Sequence, residues 1–199
     1  MKRISVFCGS SPGACIEYAD GTRRLGQEIA RRKICLVYGG GSVGLMGELA
    51  LSTLAAGGDV IGVIPEPLLN LEIALNNLTE LRVVASMHER KAVMEKISDG
   101  FIALPGGYGT YEEIFEALTW AQLNIHTKPC GFLNINGYFD LLFKFLDHTA
   151  QERFVGSEHR RMIIIDEDPA SLLDQFMVYT PPNLDKAAWA KKESRLRSG

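Results

Sequence analysis

Short runs of consecutive apolar residues alternate along the chain with longer segments in which apolar residues recur at helical spacing. Most of the runs are apolar throughout rather than alternating with polar residues, which is typical of strands covered on both faces. The strands predicted in this way are 4–8, 34–38, 60–64, 81–84, 101–104, 131–133 and 162–165.

The segments between these runs carry the marks of helices. Residues 18–29 place apolar side chains on one helical face, and Asp168 before a proline is typical of a helix start. This alternation predicts an α/β fold, a doubly wound and mostly parallel sheet with helices on both faces. We expect residues 1–180 to form a single domain and residues 181–199 to form a C-terminal tail or peripheral helix.

One connection is longer than the others. Residues 65–79 form an apolar connection that includes Leu68, Leu69, Leu71 and Ile73. Connections of this length are often lids or binding loops, and a short helix packed on the sheet edge explains the pattern equally well.

The composition is that of a globular protein, since the 199 residues are 46% hydrophobic and 23% charged, with a formal net charge of −3. This weak acidity argues against nucleic acid or an anionic membrane as the main partner. The longest apolar runs have the length of strands, so we expect no membrane span. The chain enters its first strand at once, so we expect no secretory signal.

Cysteine and histidine patterns argue against disulfides and metal. The four cysteines form no CxxC pair, and we expect them to be reduced core residues of a cytoplasmic protein. The four histidines lack the spacing of metal ligands, so we predict no metal site, and the sequence indicates no cofactor.

In a parallel sheet, ligands gather outside the carboxyl ends of the strands. The loops expected there read GSSPG (9–13), GGGSVG (39–44), SMHERK (86–91) and PGGYG (105–109). Three of the four are rich in glycine, more than simple turns need.

The loop GGGSVG fits the pattern GxGxxG and precedes a predicted helix at 45–56, with Glu66 roughly where a dinucleotide fold places its ribose-binding acid. The pattern alone is weak, because it follows the second strand and glycines at strand ends often serve only tight turns. Phosphate or nucleotide contact is the favoured interpretation because a second glycine loop recurs at 105–109.

The loop PGGYG precedes a helix predicted to start near Thr110. Unpaired amides at a helix N-terminus favour an anion, and glycines let the anion approach the backbone closely. The Thr110 hydroxyl adds one more donor. No GKS or GKT follows, so a monophosphate fits better than a triphosphate.

Two glutamates, Glu112 and Glu113, are expected in the first turn of this helix. Acids are common there because they complement the helix dipole, and this explains Glu112. Glu113 shares a helical face with Glu116 and Trp120. A carboxylate beside an anion site is unfavourable unless positive charge also develops there, so Glu113 is a candidate for chemistry.

The segment SMHERK brings Arg90 and Lys91 to the start of another helix after a strand. Arginine offers a fixed fork for phosphate or carboxylate. A solvated basic pair is the simpler interpretation, and only the position at the carboxyl edge of the sheet favours binding.

Together these residues resemble the LOG (Lonely guy) family of cytokinin riboside 5′-monophosphate phosphoribohydrolases, often labelled lysine decarboxylase-like. PGGYGTYEE fits the family motif PGGxGTxxE and MHERK fits MHxRK, while FCGSSPG and VYGGGSVGLMG fit the first two loops. The similarity covers roughly residues 3–180. No lysine stands in a recognisable pyridoxal phosphate setting, so the sequence does not support decarboxylation.

The resemblance implies a Rossmann-like domain that forms a homodimer or larger assembly. It implies cleavage of the N-glycosidic bond of an N6-modified AMP, which releases the free base and ribose 5-phosphate. By motif position, the catalytic pair is Arg90 and Glu113. The residues expected to contact the nucleotide are Gly9, Ser10, Gly40, Gly41, Glu72, Met87, Lys91, Gly106, Gly107, Tyr108, Gly109, Thr110, Glu112, Glu116 and Thr119.

In this interpretation the glycine loop and Thr110 hold the 5′-phosphate. Glu113 stabilises the oxocarbenium-like charge at C1′, or acts as base or nucleophile. Arg90 either orients Glu113 and assists the leaving purine, or binds phosphate. Residues 65–79 and Met87 could shape an apolar pocket for an N6-isopentenyl group, although ordinary core packing is the simpler interpretation of Met87.

Two alternatives stay open. One is an AMP nucleosidase of purine salvage, and the other is a nucleotide- or cofactor-binding carrier without turnover. For a family that dimerises, a subunit contact is expected to include the helix at 110–123.

Overall fold

The computed structural model describes residues 1–69, 75 and 77–182. Its strands are β1 (Arg3–Phe7), β2 (Cys35–Tyr38), β3 (Val60–Pro65), β4 (Glu80–Val84), β5 (Phe101–Ala103), β6 (Cys130–Leu133) and β7 (Ile163–Asp166). Its α-helices are α1 (Ile16–Arg31), α2 (Gly44–Ala55), α3 (Met87–Ile97), α4 (Tyr108–Gln122), α5 (Asp140–Gln151), α6 (Ser157–Arg160) and α7 (Pro169–Met177). Two 3-10 helices cover Glu66–Leu68 and Ile135–Gly137.

The strands form one sheet in the order β4-β3-β2-β1-β5-β6-β7, and each neighbouring pair is parallel. The first four strands progress from β1 to one edge, and the chain then returns through α3 to place β5 on the other side of β1. The predicted doubly wound parallel sheet is therefore confirmed. In such sheets the crevice between the two halves, here between β1 and β5, is the usual ligand site.

Separate helix layers cover the two faces of the sheet. Leu36 of β2 packs in a cluster with residues of α1, α2 and α7, whereas the next residue, Val37, packs in a cluster with residues of α3, α4 and α5. Because successive side chains of a strand point to opposite faces, both must be apolar. This explains the unbroken apolar runs in the sequence.

The start of α4 differs from the prediction. The helix begins at Tyr108, with Gly107 as its N-cap, and its first turn carries no acidic residue. The prediction that Glu112 and Glu113 lie in the first turn was therefore wrong. Gly109 was predicted to lie in the loop, yet it lies inside the helix although glycine is a poor helix former.

Parts of two predicted segments lie outside the described residues. They are residues 70–74 and 76 of the long connection, and residues 183–199 of the tail. Within the described ranges, no helix is both long enough and apolar enough to cross a membrane. All four cysteines are free.

Candidate active site

Arg90 and Glu113 form a buried ion pair. Nη2 of Arg90 lies 2.9 Å from Oε1 of Glu113, and each side chain is 8% exposed. The interpretation of Arg90 as a solvated residue was therefore wrong. Removing a charge from water costs free energy unless the charge is paired. Arg90 and Glu113 therefore each reduce the cost of burying the other.

The N-terminus of α3 sets the position of Arg90. The Ser86 hydroxyl accepts a hydrogen bond from the N–H of Glu89 at 3.2 Å, and the Glu89 carboxylate accepts one from the N–H of Ala85 at 2.8 Å. This reciprocal pair resembles a capping box, which fixes where a helix begins. Arg90 is thereby held at the fourth position of α3.

Gly39, immediately after β2, leaves room for the guanidinium. A Cβ at this position would lie 2.5 Å from Nη2 of Arg90. The first glycine of GGGSVG thus serves close packing against Arg90.

The guanidinium keeps unused donors. Its Nη1 lies 3.8 Å from Sδ of Met87, a weak acceptor. Its Nε is buried and has no hydrogen-bond partner among the described residues. Because a guanidinium has five N–H donors, Arg90 can bind a ligand group in addition to Glu113.

The ion pair lies on the wall of a cavity of about 300 Å³, a size typical of small-molecule sites. The residues that line it are Cys8, Gly9, Ser10, Met46, Leu68, Met87, Arg90, Gly107, Tyr108, Gly109, Thr110, Glu112 and Glu113. They follow β1, β3 and β5 or begin α2, α3 and α4. The cavity therefore lies at the carboxyl edge of the sheet, where the topology places ligands.

The predicted catalytic pair and eight of the predicted contact residues line this one cavity. These are Gly9, Ser10, Met87, Gly107, Tyr108, Gly109, Thr110 and Glu112. The predicted contacts that do not line the cavity are Gly40, Gly41, Lys91, Gly106, Glu116 and Thr119. Glu72 lies outside the described residues.

Thr119 is the predicted contact that lies farthest along α4 from the glycine loop. It is exposed, its hydroxyl donates to the carbonyl of Phe115 at 2.6 Å, and it lines a second cavity of about 160 Å³ between α4, α5 and β7. A rise of 1.5 Å per residue separates it from Thr110 by roughly 13 Å.

The N-terminus of α4 faces the cavity without a side-chain cap. Gly107 is the N-cap and offers no capping oxygen, and a Cβ at Gly107 or Gly109 would meet nothing within 4 Å. The first N–H groups of a helix lack partners inside the helix and attract anions. Open space beside such groups is suited to a phosphate, and Thr110 lies on the same wall.

Lys91 pairs with two carboxylates beside the cavity. Its Nζ bonds to Glu112 and lies 3.0 Å from Glu116. Burial lowers the pKa of Lys91, but the hydrogen bonds to Glu112 and Glu116 outweigh it, and the pKa is raised. A protonated Lys91 therefore offsets negative charge next to the proposed anion site.

Two lining residues, Cys8 and Met46, were not among the predicted contacts. Cys8 was assigned to the core, whereas Leu68 belongs to the long connection that was expected to shape an apolar pocket. Burial raises the pKa of the Cys8 thiol, and Glu113 raises it further while Arg90 opposes the change. The thiol is therefore neutral and a poor nucleophile.

Met87 lies in the cavity wall and not in the core. Its side chain is 41% exposed, so its interpretation as an ordinary core residue was wrong. With Met46 and Leu68 it gives the cavity an apolar side.

The described residues that line the cavity include no lysine. Lys91, beside it, is held by two carboxylates. A pyridoxal phosphate enzyme needs a lysine that can form a Schiff base with the cofactor, so this set of residues does not fit that group.

Known proteins resemble this chain over most of its length. A sequence profile of the family described as "Possible lysine decarboxylase" matches residues 46–176. The chain is 49% identical over 181 residues to "Probable cytokinin riboside 5′-monophosphate phosphoribohydrolase LOGL9" of Oryza sativa subsp. japonica, covering 91% of this chain and 80% of that relative. It is 46% identical over 199 residues to "Cytokinin riboside 5′-monophosphate phosphoribohydrolase LOG1" of Arabidopsis thaliana, covering 98% and 93%.

Among solved structures, the molybdenum cofactor carrier protein MCP of Chlamydomonas reinhardtii matches with a TM-score of 0.68 at 22% identity, covering 89% of this chain and 99% of that one. At this identity the match shows a shared fold.

Proposed function

Because the chain belongs to the LOG family of cytokinin riboside 5′-monophosphate phosphoribohydrolases, we propose that it hydrolyses the N-glycosidic bond of an N6-modified adenosine 5′-monophosphate. The products are the free base and ribose 5-phosphate. The observation that carries this proposal is the buried Arg90–Glu113 pair, which shares a cavity with the uncapped N-terminus of α4.

The ion pair suits the electronic demands of this cleavage. When the bond between C1′ and the purine nitrogen breaks, the electron pair stays on the base and positive charge develops on the sugar. The Glu113 carboxylate stabilises that charge, water adds to C1′, and the proton that this water loses balances the proton that the departing base gains. The 2.9 Å contact supports a role in which Arg90 orients Glu113, and its unused donors are available to the departing base.

The α4 N-terminus is suited to the opposite end of the nucleotide. The amides after Gly107 and the hydroxyl of Thr110 offer donors for the 5′-phosphate. Gly9 and Ser10 border the same cavity. Glu113 lies three residues after Thr110 on α4, so the carboxylate and the phosphate donors border the same cavity.

The apolar side of the cavity is suited to the substituent on N6. Met46, Leu68 and Met87 offer flexible apolar side chains. We therefore propose an isopentenyl-type group as the preferred N6 substituent, with AMP as a poorer substrate.

We also propose that the protein is cytoplasmic, where its free cysteines would stay reduced.

We propose in addition a homodimer in which α4 takes part. Leu123 and Ile125, at the end of α4, are 47% and 63% exposed. Thr119 on α4 does not line the cavity of its own chain, which leaves it available for such a contact. Light scattering of the wild type and of Leu123→Glu tests this, with Leu51→Glu on α2 as control. A monomeric wild type at micromolar concentration contradicts it.

The experiment that tests the function measures release of free base from N6-isopentenyladenosine 5′-monophosphate and from AMP. Faster release from the isopentenyl substrate supports the proposal, and equal rates indicate an AMP nucleosidase. Tight binding of both with no release indicates a carrier. The corresponding riboside should be a poor substrate, because it lacks the phosphate.

A further inference from the structure

Two tyrosines behind the cavity wall form a hydrogen-bond chain that ends on the glycine loop. Tyr138 donates its hydroxyl proton to the carbonyl of Gly106 at 2.6 Å, and the hydroxyl oxygens of Tyr111 and Tyr138 lie 2.9 Å apart. A carbonyl only accepts, and a phenol has one proton to donate. Tyr111 therefore donates to Tyr138, and the hydrogen bonds run from Tyr111 through Tyr138 to the Gly106 carbonyl.

The carbonyls on either side of Gly106 are also held by the protein. Pro105 accepts from the N–H of Gly9 at 3.0 Å, and Gly107 accepts from the N–H of Tyr111 at 3.1 Å. Three consecutive carbonyls are thus fixed, and Tyr138 supplies the only one of these three bonds that comes from a side chain.

Fixing the Gly106 carbonyl also fixes an amide. In a trans peptide, the N–H points away from the preceding carbonyl, and the peptide between Gly106 and Gly107 is trans. The bond from Tyr138 therefore turns the N–H of Gly107 away from Tyr138. Gly107 borders the cavity, whereas Tyr111 and Tyr138 do not.

The loop needs such a restraint from outside. Glycine loses more conformational freedom on ordering than any other residue, and the space next to Gly107 and Gly109 is open for at least 4 Å around a would-be Cβ. Gly107 thus borders open space on the side where a side chain would stand, and hydrogen bonds contribute to fixing the orientation of its peptide.

Tyr138 is itself well anchored. Its ring makes T-shaped contacts with the rings of Tyr18 and Phe139, at centroid distances of 5.6 Å and 4.9 Å. Burial, and then the hydrogen bond to Tyr138, raise the pKa of Tyr111 to about 12. Tyr111 therefore remains a protonated donor at neutral pH.

We propose that Tyr138, supported by Tyr111, is a positioning residue that aims the Gly107 amide at the 5′-phosphate of the substrate. The identity of the ligand rests on the proposed function. The geometry of the loop does not, so a binding experiment separates the two.

The test measures dissociation constants for AMP and adenosine by calorimetry in Tyr138→Phe, Tyr111→Phe and the double variant. Removing the Tyr138 hydroxyl should weaken AMP binding about tenfold and leave adenosine unchanged, and Tyr111→Phe should weaken AMP about threefold. The double variant should be no weaker than Tyr138→Phe, because Tyr111 acts through Tyr138. Tyr179→Phe, a half-buried tyrosine beyond α7, should change neither constant.

Equal weakening of AMP and adenosine, or no change in either, would overturn the inference. So would a wild type that binds AMP no more tightly than adenosine. If Tyr138→Phe does not fold, the ratio of the two constants in Tyr111→Phe decides alone. A wild type that binds AMP but releases no base from N6-isopentenyladenosine 5′-monophosphate refutes the proposed hydrolysis and leaves the AMP-to-adenosine ratio as the test of Tyr138.

Discussion

The guanidinium of Arg90 lies 2.9 Å from the carboxylate of Glu113, although the two residues lie in different helices that follow different strands. Helix α3 leads from β4 at the sheet edge to β5 beside β1, and α4 follows β5. The pair therefore exists only because the chain crosses the sheet between them. It lies at the crevice where this crossing places ligands.

Replacing Arg90 by lysine keeps the positive charge and removes the planar fork. We expect the turnover of the isopentenyl nucleotide to fall about a hundredfold, because Glu113 loses the partner that orients it. Steady-state kinetics measure this. Arg23→Lys is the matched control, since Arg23 pairs with acids on the surface, and it should keep full activity. A near-normal rate in Arg90→Lys would show that the fork is not needed.

Replacing Gly39 by alanine should displace the Arg90 guanidinium from its contact with Glu113. The new Cβ would lie 2.5 Å from Nη2 of Arg90, which is the end of a flexible side chain and can move. We expect little loss of thermal stability but about a tenfold drop in kcat, since misplacement of a catalytic group by a fraction of an ångström is costly. Full activity in this variant would contradict the importance of the guanidinium position.

Replacing Leu68 by alanine should change substrate preference. Loss of apolar contact in a binding pocket is worth about 1–2 kcal/mol. We therefore expect kcat/KM to fall about five- to thirtyfold for the isopentenyl nucleotide and much less for AMP. Leu51→Ala on α2, where the side chain is 48% exposed, is the control. An equal fall for both substrates would place Leu68 outside the N6 pocket.

Glu28 gives a prediction about stability that is independent of the site. The hydrogen bond from Arg31 lowers the pKa of Glu28 from its ordinary 4.5 to about 2, against the effect of burial and with the help of Arg32. A depressed folded-state pKa stabilises the fold above the unfolded value, and this stabilisation is lost as pH falls from about 4.5 towards 2.

We therefore expect Glu28→Gln to lower the free energy of unfolding by about 1–2 kcal/mol at pH 7. The difference from wild type should shrink steadily between pH 4.5 and pH 2. Urea unfolding at several pH values measures it. A difference that stays constant with pH would mean that the charge of Glu28 does not contribute.

The sheet could be predicted because its strands are buried on both faces. Leu36 and Val37 are adjacent and enter different cores, and this leaves an unbroken apolar run in the sequence. The order of the strands could not be read in the same way. The return through α3 depends on tertiary packing, and no local pattern in Met87–Ile97 distinguishes a crossing helix from any other.

Within the site, Arg90 and Glu113 were predicted from their motifs, whereas the roles of individual glycines were not. Gly39 serves packing against Arg90, and Gly107 leaves open space at the cavity. Both functions require only the absence of a side chain, so the sequence alone does not distinguish a glycine needed for packing from one that leaves room for a ligand. Tyr138 carries no local pattern either, because its partner Gly106 lies in another loop.

The measurement that tests the central claim most directly compares Glu113→Gln with the wild type. Release of free base and ribose 5-phosphate from N6-isopentenyladenosine 5′-monophosphate is followed alongside binding of the same nucleotide. The account predicts that binding is retained and that turnover falls about a hundredfold or more. A variant that releases base at close to the wild-type rate would contradict it, because Glu113 would then have no part in the cleavage.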